Sequence, residues 1–165
     1  MKIKILLLAL AAGLIAINGF AQTDSVTKDD KEFLENAGEM NMTEIALGHL
    51  AQERAFSPEI KALGLTLVTD HQAMTDDLVV LAKAKGVELT VESTVPQKTM
   101  IAAFKDKTGA EFDREFREHV AKDHEKAVKM FADAAEDSKD ANVKAFAAKN
   151  QAALQGHLQA VGGKH

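Results

Sequence analysis

The sequence contains no cysteine, and this absence excludes several kinds of site at once. A chain without cysteine forms no disulfide, holds no metal through thiolates and carries no lipid on an N-terminal cysteine. Tryptophan and tyrosine are absent as well, so the aromatic platforms on which sugars and bases commonly stack are missing. A metal site in this chain therefore has no thiolate ligand.

The N-terminal segment has the features of a secretory signal peptide. Lys2 and Lys4 precede an apolar run from Ile5 to Ile17, and residues 19–21 (Gly-Phe-Ala) supply small residues at positions −3 and −1 of a cleavage site. The apolar run is shorter than the ~20 residues of a spanning helix, which favours removal of residues 1–21 over a retained anchor. We therefore expect an exported protein located in a bacterial periplasm, either free or associated with the outer membrane.

The charge of the chain argues against a nucleic-acid partner. The formal net charge is −5, and loss of Lys2 and Lys4 would bring the mature chain to −7. Nucleic-acid binding needs a basic face, whereas here acids and bases alternate along the chain as they do on solvated helix surfaces. Partners that remain open are an envelope protein or a second copy of this chain.

Helical periodicity predicts an all-α fold with four long helices. After a short linker over residues 22–28, the domain would span 29–161, followed by a tail over 162–165. The expected helices run from the capping box Thr27-x-x-Asp30 to about Ala55, from Ser57-Pro58-Glu59 to Gly86, from about Gly109 to Asp137, and from Ser138 as N-cap to Val161.

The connection between the second and third helices is long, whereas the other two connections are tight turns. Val87 to Thr108 could extend over roughly 66 Å, more than the ~43 Å of a 29-residue helix, and Pro96 is expected to open a short helix within it. The pattern therefore predicts a four-helix bundle of two hairpins with a crossover, as in ferritin-like folds. Simple up-down-up-down packing is the alternative.

Polar residues interrupt the apolar faces of three of these helices. On a helical wheel Glu44 lies within the stripe of the first helix, and His71 lies at the centre of the second. On the fourth helix Asn150 is central and His157 lies about 40° to one side. Counted from the connection between the first and second helices, Glu44 and His71 also lie at nearly the same height along the bundle. Buried groups of this kind must be paired, hydrogen-bonded or bound to metal.

On the third helix the inward polar residue is less clear. Asp123 lies in the apolar stripe, and His119 and His124 flank the stripe on opposite sides. Counted from the second turn, His119 is nearly level with His157, whereas His124 is about seven residues, or ~10 Å, away from that level. These heights argue against one metal ion bound by all the inward groups.

Structural roles provide the alternative to metal binding. Glu44 and His71 could form a buried hydrogen-bonded pair, and Asn150 is expected to bond within the structure. In the Asp70-His71 and Asp123-His124 dipeptides, the acid would be solvated and the histidine would point inward, because adjacent helical residues do not face each other.

Known catalytic arrangements are not found in the sequence. A nucleophilic cysteine, a Gly-rich phosphate loop and a Gly-x-Ser-x-Gly elbow are missing. Carboxylate di-iron bundles use Glu-x-x-His pairs, but the residues three places before the inward histidines are Val68, Phe116, Ala121 and Leu154. An enzymatic role is therefore disfavoured.

The chain resembles the secreted bacterial proteins grouped as domain of unknown function 4142 (DUF4142), which are often labelled predicted outer-membrane proteins. The resemblance spans about Asp29 to Val161 and implies a ferritin-like fold in the cell envelope, without implying an activity. Five stretches carry it: residues 43–51 (TEIALGHLA), 67–71 (LVTDH), 109–113 (GAEFD), 123–124 (DH) with Phe131, and 157–158 (HL).

Two functional hypotheses follow. The favoured one is a metal-free structural or interaction module of the cell envelope. The alternative is a bundle that binds a divalent metal such as Zn or Fe. The family resemblance implies which positions recur as polar residues, and His124 is one of these positions whereas His119 is not. The height count instead favours His119 as the third-helix partner of His157. We follow the resemblance, and the expected metal ligands are Glu44, His71, His124 and His157.

Overall fold

The computed structural model describes residues 26–90 and 93–162, so the expected signal peptide over residues 1–21 lies outside the described part. These described residues form five helices: α1 (Lys28–Arg54), α2 (Pro58–Lys85), α3 (Val95–Lys105), α4 (Gly109–Asp137) and α5 (Ala141–Ala160). Within the described ranges, β-structure is limited to an isolated bridge between Ala55 and Gly109. In the same ranges, every helix is too short or too polar to cross a membrane.

The helix ends agree with the local sequence signals at all but one position. Thr27 forms a reciprocal capping box with Asp30, and Ser57 caps α2 directly before a proline. The N-cap of α5, however, is Asp140 rather than the expected Ser138. Asp140 accepts from two backbone N–H groups of the first turn, while the Ser138 hydroxyl accepts from the backbone N–H of Asp140. Both residues can cap a helix, and the more C-terminal one does so here.

Two antiparallel hairpins, α1–α2 and α4–α5, form the bundle. The Asp113 carboxylate near the start of α4 accepts from the backbone N–H groups of Phe56 and Ser57, at 2.9 and 2.8 Å. At the opposite end, Lys85 of α2 pairs with Asp140 before α5. The chain therefore returns along the length of the bundle between α2 and α4, so that α4 packs on α1 and α5 packs on α2. The short helix α3 lies within this return and packs on α1.

Two apolar clusters fill the bundle, one toward each end. The first contains residues such as Phe33, Leu78 and Phe131. The second contains residues such as Leu47 and Phe116, and α3 contributes Phe104 to it. On every long helix at least one buried polar residue lies in sequence between members of the two clusters: Asn41 and Glu44 on α1, His71 on α2, His124 on α4 and His157 on α5. The bundle is therefore polar at its middle level.

Helices α1 and α2 approach very closely at two glycines. A Cβ atom at Gly48 would lie 2.6 Å from the carbonyl oxygen of Gly64, and one at Gly64 would lie 2.7 Å from the Cβ of Ala51. Only the absence of side chains permits this spacing. It brings Asn41, about two turns away from Gly48 on α1, against the inward face of α2, where it contacts His71.

Candidate metal centre

Three buried histidines from three different helices converge at the middle of the bundle. His71 of α2, His124 of α4 and His157 of α5 each offer one ring nitrogen, and these nitrogens lie within 4.8 Å of one another. The exposed fractions of the three side chains do not exceed 4 %. Their ring centroids are 5.2 to 5.6 Å apart, so each ring contacts the other two.

Each ring has an inner nitrogen, which faces the other two histidines, and an outer nitrogen, which faces away from them. The outer nitrogen of His71 is bound by an amide of α1. Nδ1 of His71 lies 2.9 Å from Oδ1 of Asn41, and an amide oxygen can only accept, so Nδ1 carries the proton. Burial holds the pKa of His71 well below its ordinary 6.5, so the ring is neutral at pH 7. Nε2 therefore carries a lone pair, and it has no hydrogen-bond partner among the described residues.

The outer nitrogen of His124 is held by its own helix. Nδ1 donates to the backbone carbonyl of Val120 at 3.0 Å. Burial lowers the pKa of His124 to about 4, so this ring is also neutral at pH 7. Its lone pair therefore lies on Nε2, which points toward His157.

The outer nitrogen of His157 is held by a carboxylate of α2. Nε2 of His157 donates to Oδ2 of Asp70 at 2.8 Å. The Asp70 side chain is 42 % exposed, so this bond links the buried ring to the protein surface. With its proton on Nε2, a neutral His157 ring directs the lone pair of Nδ1 toward the other two histidines.

The inner nitrogens of His124 and His157 face each other at 3.2 Å. Three contacts along this chain of groups need three protons: Val120 to His124, His124 to His157, and His157 to Asp70. Two neutral imidazoles supply only two protons. One of the three contacts therefore lacks a donor, and an additional proton or a metal ion between the rings would satisfy it.

Glu44 lies at the back of His124 rather than among the three inner nitrogens. Its Oε1 is 3.8 Å from Nδ1 of His124, and its Oε2 has no hydrogen-bond partner in the described chain. Burial, together with the nearby charge of Asp123, raises the pKa of this carboxyl to about 8. The expected pairing of Glu44 with His71 is not observed, because Asn41 occupies the outer nitrogen of His71.

The predicted ~10 Å height difference between His124 and His157 is wrong. His124 lies thirteen residues before the end of α4, and His157 lies sixteen residues after the start of α5, a difference of about 4.5 Å of helix rise. Helical side chains also lean toward the N-terminus of their helix. His124 therefore leans away from the turn and His157 toward it, and the two rings meet.

The remaining polar candidates have other partners. Nε2 of His119 lies 3.1 Å from Oδ2 of Asp123, and the hydrogen bond between them lowers the pKa of Asp123 to about 2. Asn150 donates to the carbonyl of Phe146 within its own helix at 2.9 Å, as expected of a structural residue. His49 is exposed on α1. These side chains are not members of the histidine cluster.

Sequence reasoning missed two residues of the site, Asn41 and Asp70. Asn41 lies three residues before Glu44 on the same buried face, and this helical spacing was the available signal. Asp70 was expected to be solvated because it cannot face its neighbour His71. It faces a third residue instead, His157 of α5, which only the packing of α2 against α5 could reveal.

Each histidine of the cluster thus has the arrangement of a metal ligand. An oxygen acceptor fixes the proton on the outer nitrogen of each ring, and the inner nitrogen is left to coordinate. Imidazole nitrogens suit zinc, copper, iron and nickel.

Comparisons with known proteins agree with the all-helical fold and the family resemblance. The crystal structure of a DUF305 fragment from Deinococcus radiodurans superimposes with a TM-score of 0.72 at 13 % identity, covering 83 % of this chain and 95 % of that one. At this identity the likeness concerns the fold alone. No curated protein matches the sequence. The sequence profile of a domain of unknown function, DUF4142, matches residues 17–162, and the chain therefore belongs to the DUF4142 family.

Proposed function

We propose that the bundle binds one divalent transition-metal ion through His71, His124 and His157. The observation that carries this proposal is the 3.2 Å contact between inner nitrogens of His124 and His157, whose outer nitrogens already donate to oxygen acceptors. A metal ion at this contact satisfies both lone pairs. It also gives the buried Nε2 of His71 a partner.

The distances between the ring nitrogens suit a first-row transition-metal ion after a small movement of the rings toward one another. Zinc binds imidazole at about 2.0–2.1 Å, so two nitrogens of a tetrahedral site lie about 3.3 Å apart. The pair of His124 and His157 is at 3.2 Å, and no pair exceeds 4.8 Å, so the remaining ring must move by about 1.5 Å at most. Three histidines also leave one coordination position open to water or a fourth ligand.

A metal-free structural module is the second candidate. The observation that favours it is the chain of hydrogen bonds from Val120 through both rings to Asp70, which an extra proton completes without any metal. Such a cluster would fix the register of α2, α4 and α5.

The sequence and the topology support a cellular location and a fold class for the proposed site. The lysines, apolar run and small residues of the N-terminal segment support a mature chain that works outside the cytoplasm, in the periplasm or at the outer membrane. The long return between α2 and α4 supports the assignment of the bundle to the ferritin-like four-helix folds, which contain one such crossover.

Equilibrium titration of the mature protein with Zn²⁺, against a chromophoric chelator, tests the proposal. We expect one ion per chain and a loss of affinity of more than about 100-fold in His71→Ala and in His124→Ala. His49→Ala makes the same substitution at an exposed position of α1 and should bind like the parent protein. A parent protein that takes no zinc, or one whose zinc is retained in both cluster variants, would leave the structural module as the function.

A further inference from the structure

A groove of about 670 Å³ leads from the surface toward the histidine cluster. It lies between α1, α3 and α4, and its walls carry carboxylates, thioethers and one histidine, namely Glu39, Glu44, Met100, His119 and Asp123. Its volume is within the range of small-ligand sites.

Glu44 separates this groove from the cluster. Its side chain is 1 % exposed, yet it lines the groove, and its Oε2 has no partner among the described residues. Its other oxygen is 3.8 Å from the ring of His124. The carboxyl group is therefore in reach of both the groove and a proposed metal ligand.

A second groove, of about 630 Å³, approaches the cluster between α2 and α5 and is lined by Asp70 and His157. Here the access to the ring is closed by a hydrogen bond, because Nε2 of His157 donates to Asp70 at 2.8 Å. The nitrogen that would coordinate, Nδ1, is on the opposite side of the ring, toward His124. Unlike the first groove, this one has no buried carboxylate among its lining residues, because Asp70 is half-exposed and Glu59 is exposed.

We infer that the groove between α1, α3 and α4 is the path by which a divalent cation reaches the histidines, with Glu44 as the carboxylate that passes it inward. This inference rests on the proposed metal site. Lys122 and Lys126 balance the charges of Glu39 and Asp123 in the groove, so the path depends on Glu44 as a ligand rather than on a net negative field. An oxygen ligand at Glu44 then replaces water of the hydrated ion before the imidazole nitrogens do, so Glu44 lowers the barrier to binding and to release alike.

Stopped-flow binding of Co²⁺, followed by its visible absorption, tests this role. Glu44→Gln keeps the shape of the side chain and replaces a carboxyl group, which gives up its proton when it ligates a cation, with an amide that cannot become an anion. We expect its association rate constant to fall at least about tenfold, and its dissociation rate constant to fall in parallel, so that Kd changes by less than about threefold. Met100→Trp, which fills the groove without a change of charge, should slow association as well.

The control variant is Asp133→Asn, which removes one negative charge from α4 at a position outside this groove. It should bind cobalt at the parental rate. Circular dichroism of each variant verifies that the bundle is folded.

Association of Glu44→Gln at the parental rate would overturn the inference and leave the metal site intact. A weaker Kd caused by faster dissociation would also overturn it, because Glu44 would then be a permanent ligand. Parental association in Met100→Trp would exclude this groove as the path. If the parent protein itself binds no cobalt, the proposed metal site fails first and this inference with it.

Discussion

Nε2 of His124 and Nδ1 of His157 lie 3.2 Å apart in the interior of the bundle, although 33 residues separate them in the chain. Each ring already donates a proton from its other nitrogen, to the carbonyl of Val120 and to the carboxylate of Asp70. A metal ion at this contact would satisfy both inner nitrogens, and the adjacent Nε2 of His71 offers it a third ligand. The predictions below test this centre and the packing that holds it.

The carboxylate of Asp70 should strengthen metal binding although it does not touch the ion. In Asp70→Asn the neutral amide is a weaker acceptor for the N–H of His157, so the ring becomes less basic and less well oriented. We expect the affinity for Zn²⁺ to fall by about 10- to 100-fold in a chelator competition titration.

The matched control for Asp70 is Asp77→Asn on the same helix. Asp77 pairs with Lys149 of α5 at the surface, so this variant also removes one carboxylate that bridges α2 and α5. It should bind zinc like the parent protein. Equal affinity losses in the two variants would mean that the effect is general electrostatics rather than orientation of His157.

The two glycines between α1 and α2 set the spacing of the site. In Gly48→Ala the new methyl group would lie 2.6 Å from the Gly64 carbonyl and 2.8 Å from Val68, so the helices must separate. We expect the free energy of unfolding to fall by about 1–3 kcal/mol, measured by urea denaturation.

Gly156→Ala provides the opposite case on α5. A Cβ at Gly156 meets no atom within 4 Å, and the residue is helical. Alanine there should raise the free energy of unfolding by about 0.4–1 kcal/mol, because it restricts the unfolded chain. If Gly48→Ala were as stable as Gly156→Ala, the close approach of α1 and α2 would not depend on the absence of a side chain at Gly48.

The turn between α4 and α5 should make the protein sensitive to acid. Asp140 is fully buried, and although its burial favours the neutral acid, its bonds to Lys85 and to two backbone N–H groups bring its pKa below the ordinary 3.8. A lowered folded pKa gives stability that is complete above about pH 4 and is lost as the pH falls through the folded pKa.

Asp140→Asn should remove this part of the acid sensitivity. The variant leaves Lys85 without its anion, so we expect a loss of about 1–3 kcal/mol at neutral pH. Below about pH 4 its stability should then fall less steeply than that of the parent protein in urea unfolding curves. Parallel slopes for the two proteins would contradict the role given to Asp140.

Metal binding should stabilise the fold through the same three histidines. A ligand that binds only the folded state at 100 times its Kd adds about 2.7 kcal/mol to the free energy of unfolding. We therefore expect zinc to raise the Tm of the parent protein in calorimetry, and to leave the Tm of His71→Ala unchanged. An equal rise in both would point to zinc binding elsewhere on the chain.

Much of the fold could be predicted from the sequence, because local signals determine where helices begin and end. The capping box at Thr27 and the Ser57-Pro58 start are read from neighbouring residues, and they occur where expected. The start of α5 was displaced by a few residues because Ser138 and Asp140 can both cap a helix. The choice between them depends on Lys85, which reaches Asp140 from another helix.

The candidate site could be predicted only in part. Helical wheels identified Glu44 and His71 as inward residues, since a wheel needs only one helix. Whether His119 or His124 meets His157 depends on the relative height of two helices and on the lean of each side chain. Glu44 was expected to pair with His71, but a shift along α1 by about one turn gives that contact to Asn41.

X-ray absorption at the zinc edge of the metal-loaded mature protein tests the central claim most directly. The account predicts a first shell with three nitrogens at about 2.0 Å and the multiple-scattering pattern of three imidazole rings. In His71→Ala, loaded at a zinc concentration high enough to offset its weaker binding, the number of rings should drop to two. A shell of oxygens alone, or one with a single imidazole, would show that His71, His124 and His157 do not form a common metal site.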